Sequence, residues 1–169
     1  MIYFILGGAR SGKSKLAEKT ALDSGLEMVY LATATAGDEE MHARIERHKR
    51  DRDEAFTVIE EPIEIASVIE NMAGEVCILV DCLTLWLLNI LEDSQRETKI
   101  DELLHVLATT QHTVILVSNE VGSGVVPLSP LGRKFVDESG FLHQKIAKVA
   151  DRVQLVMAGL SVNLKETFA

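Results

Sequence analysis

The chain has 169 residues, 47% hydrophobic and 25% charged, and its 17 Lys and Arg against 26 Asp and Glu leave a formal net charge of −9. That length suits one domain with a real core, since a chain of about 150 residues buries roughly 70% of the surface it exposes when unfolded, and the composition excludes a disordered chain. The acidic balance excludes a sequence-independent nucleic-acid binder, which needs a basic face against the phosphates, so an anionic ligand has to be held by a local device.

Apolar runs of strand length alternate with helix-like segments along the whole of 1–169, the pattern of a single α/β domain with a largely parallel sheet. Residues 2–6 are continuously apolar, as a strand covered on both faces requires, and the N-terminus lacks the basic region of a signal peptide. A helix over 13–24 follows, closed by Gly25, and then a strand over 28–32. The polar stretch 38–53 contains neither Pro nor Gly and predicts an exposed helix. Pro62 suits the first turn of a helix running to Ala73, which Gly74 stops. Residues 76–80 form a buried strand that ends in Asp81, and 84–91 a helix apolar nearly all round. Thr98 with Asp101 resembles a capping box for a helix to Thr110. A strand over 113–117 leads into Ser118-Asn119-Glu120. The stretch 121–132 holds three glycines and two of the chain's three prolines, which predicts a functional loop of the lid type. Residues 133–150 are helical, and 153–157 are the last strand.

Cys77 and Cys82 are the only cysteines, five apart, which fits neither a redox pair nor a zinc framework; buried thiols in a reducing compartment are expected. No apolar stretch reaches the roughly 18 residues that span a bilayer, so a cytoplasmic location is expected.

Residues Gly7-Gly8-Ala9-Arg10-Ser11-Gly12-Lys13-Ser14 match G-x-x-x-x-G-K-[ST] between an apolar strand and a helix. The glycines let successive backbone N–H groups turn inward, and the helix N-terminus adds its positive end. Lys13 would neutralise the β- and γ-phosphates and Ser14 would ligate Mg²⁺. The pattern predicts a P-loop NTPase-type three-layer sandwich with a largely parallel central sheet. Such a site also needs a carboxylate near the metal at the end of a hydrophobic strand; Asp81 takes that place first and Glu120 second. Glu60, just before Pro62, could serve the nucleotide or simply bias a helix N-terminus.

Residues 42–53 hold five Lys or Arg and three Asp or Glu, a local +2. On a helix Arg44, His48 and Arg52 share one face, and the cations disfavour protonation of His48, leaving its imidazole neutral and nucleophilic. A solvated charged face produces the same spacing.

Taken together, the phosphate-loop octapeptide, Tyr30-Leu31-Ala32-Thr33, Ala43-Arg44-Ile45 with His48, and Asn119-Glu120-Val121-Gly122 through Val126-Pro127 resemble, in that order, the adenosylcobinamide kinase / adenosylcobinamide-phosphate guanylyltransferase family of cobalamin biosynthesis. Phe135, Asp137, Gly140, Gln144 and Ala150-Asp151 extend the resemblance over nearly the whole chain. The resemblance implies phosphorylation of the aminopropanol arm of adenosylcobinamide, then transfer of GMP from GTP onto that phosphate through a GMP–histidine intermediate, at His48. It implies GTP, ATP and Mg²⁺ as cofactors, with Ser14 and Asp81 toward the metal. Implied nucleotide contacts are Gly7, Gly8, Ala9, Arg10, Ser11, Gly12, Lys13, Ser14, Thr33, Ala34, Thr35, Lys49, Arg50, Asp51, Arg52, Glu60 and Asp81, with His48 and Lys13 catalytic. A corrinoid substrate and a homo-oligomer, often a trimer, complete what it implies. Three residues depart from the pattern: Val136 and Phe141 stand where Arg is common, and His143 stands in place of Asn before Gln144. The alternatives are a plain P-loop kinase with no covalent histidine, and a nucleotide-dependent switch whose 121–132 loop moves on hydrolysis.

Overall fold

A computed structural model describes residues 1–35, 37, 39, 46, 50 and 53–166. In chain order the elements are β1 (Ile2–Gly7), α1 (Lys13–Asp23), β2 (Glu27–Ala32), β3 (Phe56–Glu60), α2 (Ile65–Glu70), β4 (Val76–Asp81), α3 (Leu83–Ile90), α4 (Arg96–Thr109), β5 (Thr113–Asn119), α5 (Pro130–Val149), β6 (Arg152–Met157) and β7 (Leu160–Glu166). Glu39, Glu46 and Arg50 are helical, and the rest of the helix expected over 38–53, apart from Asp53, lies outside the described residues.

The strands form one sheet in the order β3-β2-β4-β5-β1-β6-β7, parallel throughout except for β7, which runs antiparallel to β6. Strand alternation sends successive side chains to opposite faces. Phe4, Leu6, Leu31, Ile78, Val80 and Leu116 point to the face covered by α2, α3, α4 and α5. Ile5, Tyr30, Leu79, Ile115 and Val117 point to the other face, where Ala17 and Ala21 of α1 pack. Small alanines on α1 let that helix lie close against the strands. The expected three-layer, largely parallel sandwich is therefore present.

Long-range ties close the sheet. The Ile2 amide donates to Asp151 Oδ2 at 2.7 Å and the Asp151 amide returns a bond to the Ile2 carbonyl at 2.9 Å, fixing the start of β1 beside β6. Lys165 Nζ, projecting from β7, reaches the carbonyls of Ala147, Lys148 and Ala150 at 3.0, 3.0 and 2.6 Å, satisfying orphan acceptors at the end of α5.

Four expectations need correction. The helix after Pro62 begins at Ile65, because the Glu61 carboxylate accepts from the amides of Ile63 and Glu64, both at 2.9 Å, and shapes a turn there. It ends at Glu70, with Asn71 Nδ2 bonded back to the Ser67 carbonyl at 2.8 Å. Thr98 and Asp101 form no capping box: α4 is capped at Gln95 and starts three residues earlier, after a turn in which Asp93 Oδ1 accepts from the Gln95 amide at 2.8 Å. The loop after β5 ends at Ser129, whose hydroxyl accepts from the Gly132 amide at 3.1 Å, so Pro130 and Gly132 belong to the first turn of α5. Finally, 153–157 are not the last strand. Ala158 and Gly159, both at positive φ (53° and 80°), make a two-residue turn into β7.

Trp86 of α3 is fully buried and its indole N–H donates to the Ile63 carbonyl at 2.8 Å, pinning the β3–α2 connection. Trp86→Ala is expected to lower unfolding free energy by about 3–5 kcal/mol in urea titration, through the cavity and the orphaned carbonyl.

Candidate active site

The turn from β1 into α1 is dictated by crowding. A Cβ on Gly7 would lie 2.5 Å from Ser11 Oγ and 2.6 Å from the Val156 carbonyl oxygen, so only glycine fits there. Arg10 and Gly12 have φ of 56° and 100°, left-handed conformations that roll successive N–H groups toward one concavity. Gly12 caps α1 without any side-chain hydrogen bond, and the first turn holds no acidic residue. The amides at this helix N-terminus are therefore open to an external anion. Lys13 Nζ folds over the loop to the Gly8 carbonyl at 3.3 Å, and Ser14 lies half-buried in the same first turn. Gly8, Ala9 and Arg10 face solvent. The Ser11 carbonyl accepts from the Gly159 amide at 2.8 Å, while its buried hydroxyl has no partner among the described residues.

Flanking strands present polar residues at the same sheet edge. Gly7 is in register with Asn119 of β5, and the Glu120 amide donates to the Gly7 carbonyl at 3.1 Å. Both Glu120 carboxylate oxygens are engaged by the following loop, Oε1 with the Gly122 amide at 2.7 Å and Oε2 with the Ser123 amide at 3.3 Å. Glu120, second choice for the metal, thus braces a loop. Asp81 ends β4, two strand spacings or about 10 Å from β1. The Tyr30 hydroxyl donates to its Oδ2. A hydroxyl on Ser14 and a carboxylate on Asp81 are hard oxygen donors suited to Mg²⁺. Among the described residues no cluster of three or more His, Cys, Asp or Glu offers a rival metal site.

Thr33 is buried, and its hydroxyl joins the β2 end to the Asp81-Cys82 step, donating to the Cys82 carbonyl at 2.7 Å and accepting from the Cys82 amide at 2.9 Å. Its side chain is thus a strut, leaving half-buried Ala34 and exposed Thr35 toward any ligand. Glu60 is exposed at the end of β3, in register with Ala32 and about 19 Å from β1 across four strand spacings. The structure therefore brings 7–14 and Asp81 to one edge and sets Glu60 at its far rim. His48, Lys49, Asp51 and Arg52 lie outside the described residues, and Arg50 is exposed.

Two elements of this frame had weaker sequence signals. Asn89 of α3 donates through Nδ2 to the Thr33 carbonyl at 2.9 Å and the Pro62 carbonyl at 3.0 Å; one amide side chain in an otherwise apolar helical turn was its only mark. Thr84 Oγ1 accepts from the Asn119 amide at 2.7 Å and lies 3.3 Å from Ser118 Oγ, which in turn lies 2.8 Å from His143 Nε2. Burial pushes His143 down to about 4, and the Glu120 carboxylate opposes this only in part. Burial and the neighbouring Asp81 charge push the Cys82 thiol up to about 11, so it is no nucleophile. Cys77 is buried, as expected, and burial also raises its pKa, whereas Cys82, expected to be buried too, is half-buried.

The family model described as cobinamide kinase / cobinamide phosphate guanyltransferase matches residues 3–164. A bifunctional adenosylcobalamin biosynthesis protein of Pseudomonas aeruginosa is 51% identical over 166 residues, 95% of each chain. One from Escherichia coli is 35% identical, covering 98% of this chain and all of that one. Among solved structures, the RadB recombinase superposes with a TM-score of 0.59 at 14% identity, over 99% of this chain and 81% of that one. The flagellar accessory protein FlaH from Methanocaldococcus jannaschii does so with 0.57 at 17% identity, over 98% and 78%. These last two likenesses concern the fold alone, the P-loop NTPase-type sandwich.

Gly7→Ala is expected to weaken ATP and GTP binding at least about tenfold, read as loss of the nucleotide-induced rise in Tm, because the loop must open to admit the methyl group. His143 provides a second test. Its depressed pKa favours the neutral ring in the fold, so its contribution to stability is complete above about 6.5 and is lost as pH falls from there through about 4. Between about pH 7.5 and 5 the parent chain should lose about 2 kcal/mol more unfolding free energy than His143→Asn.

Proposed function

The chain belongs to the cobinamide kinase / cobinamide phosphate guanyltransferase family, and from that premise we propose how its residues divide the work. It is a bifunctional transferase of cobalamin biosynthesis that phosphorylates adenosylcobinamide and then converts the phosphate to adenosylcobinamide-GDP with GTP. The observation that carries the residue assignment is the phosphate loop itself: uncapped helix amides, two left-handed residues and Lys13 converge on one concavity.

In the kinase half-reaction the loop amides of 8–14 and Lys13 hold the triphosphate of ATP or GTP. The aminopropanol hydroxyl attacks the γ-phosphorus, and the nucleoside diphosphate leaves with its charge met by the same donors. In the second half-reaction the neutral imidazole of His48 attacks the α-phosphorus of GTP, forming an N–P bond as the bond to pyrophosphate breaks. The phosphate of adenosylcobinamide phosphate then attacks that phosphorus and His48 leaves. Ser14 and Asp81 would hold Mg²⁺, which supplies charge neutralisation on the phosphates. Ala34, Thr35, Lys49, Arg50, Asp51, Arg52 and Glu60 would complete the nucleotide site, with Thr33 as the strut that holds the Asp81-Cys82 step.

Residues 1–169 act as one nucleotide-binding domain in the cytoplasm, as a homo-oligomer of the trimer type, without nucleic-acid partners; the net charge of −9 supports the last point. Among the described residues no helix is long and apolar enough to cross a membrane.

Incubation with GTP labelled at the α-phosphate, followed by denaturation, is expected to leave an acid-labile, base-stable label on the protein. His48→Ala should abolish it, and full labelling of that variant would remove His48 from the mechanism. Lys13→Ala should slow both half-reactions by about 10²–10³-fold, as loss of a charge-stabilising donor does. An unlabelled but active parent chain would point to the plain kinase.

A further inference from the structure

Two tracts without one charged residue flank the phosphate loop. The first is 121–129, joining β5 to α5, and the second is 153–164, covering most of the β6–β7 hairpin. Both are tied to the loop, the first through the Glu120 amide on the Gly7 carbonyl at 3.1 Å, the second through the Gly159 amide on the Ser11 carbonyl at 2.8 Å. Each displays apolar side chains to solvent: Val125, Val126 and Leu128 are 95%, 72% and 98% exposed, and Met157 and Leu160, paired across the hairpin, are 68% and 73% exposed.

The first tract is braced rather than slack. Glu120 holds its start, while Arg133 Nη1 bonds the carbonyls of Pro127 and Leu128 at 3.0 and 2.8 Å and Ser129 caps α5 at its end. A braced loop that holds valines and a leucine exposed is poised for a contact it does not make among the described residues.

We propose that Val125, Val126 and Leu128 on one side and Met157 and Leu160 on the other form the seat of the corrinoid macrocycle, an assignment that rests on the kinase and guanylyltransferase reading. β5 and β6 lie on either side of β1, about 10 Å apart, so the occupant spans the phosphate loop. It has to be uncharged where it touches these tracts, partly apolar, and able to offer a hydroxyl to a phosphate held at 8–14. A methyl-bearing ring with neutral carboxamide arms meets all three conditions. A nucleic acid or an acidic peptide finds no cation on either tract.

Steady-state kinetics of cobinamide phosphorylation, with the full chain and the pairs Val126→Ser/Leu128→Ser and Met157→Ser/Leu160→Ser, test the assignment. Each pair is expected to raise KM for cobinamide at least about tenfold and to change kcat by less than about twofold, because it removes binding surface and no reacting group. An unchanged KM in either pair overturns the seat. A fall in sedimentation mass with KM unchanged also overturns it, and identifies the patch as a contact between copies. A parent chain that fails to phosphorylate cobinamide sinks the activity itself; an active parent matched by its variants sinks only the seat.

Discussion

The end of β1 has no room for a side chain. Gly7 sits where a methyl group would strike both Ser11 and the backbone of β6, and the chain turns there through left-handed residues into a helix with an uncapped N-terminus. Those conditions turn N–H groups of the loop and of the first helical turn toward one concavity, where no side chain caps the helix and an anion can supply the acceptor. The rest of the architecture serves this turn. β5 and β6 clamp it on both sides, the Ile2–Asp151 bonds hold the lower end of β1, and the two alanines of α1 let the helix dock against the sheet.

A second layer of order comes from buried and half-buried polar groups set between elements. Thr33, Asn89, Thr84 and Ser118 each bond backbone atoms or hydroxyls of another element at the same sheet edge. Satisfied buried polar groups of this kind fix relative positions more tightly than apolar contact does, since a slip leaves donors or acceptors bare. The Asp81-Cys82 step is held in this way, with Tyr30 on the carboxylate and Thr33 on the backbone that follows. The consequence is an edge whose phosphate loop and Asp81 carboxylate keep a set separation before any ligand arrives.

Charge is distributed to match. An overall −9 coexists with uncharged tracts on both sides of the loop and a local +2 over 42–53. A nucleotide and an uncharged macrocycle ask for different surfaces, and the proposed sites divide in the same sense. His143 is absorbed as a neutral, largely buried ring on Ser118 and against Phe4, where it packs α5 on β1.

Narrow local requirements make part of the fold legible in the sequence. The apolar runs of β1, β2, β4 and β5, the glycines and lysine of 7–14, and Asp81 at a strand end each announce themselves within ten residues, because burial on both faces and a phosphate turn impose narrow residue requirements. β3 and β7 escaped, since edge strands are only half covered and Phe56-Thr57-Val58-Ile59 and Leu160 to Leu164 mix apolar with polar residues. The starts of α2 and α4 were misplaced because Glu61 and Asp93, and not the nearer Pro62 and Thr98, shape the turns. By itself the sequence determined the layer architecture, the phosphate turn and the family. Only the tertiary structure decided that Thr33 faces inward as a strut, that Glu120 braces a loop, that Glu60 lies at the far rim, and that two uncharged tracts distant in the chain border one site. Those facts depend on strand order and on which groups meet across the sheet, and spacing along the chain does not encode either.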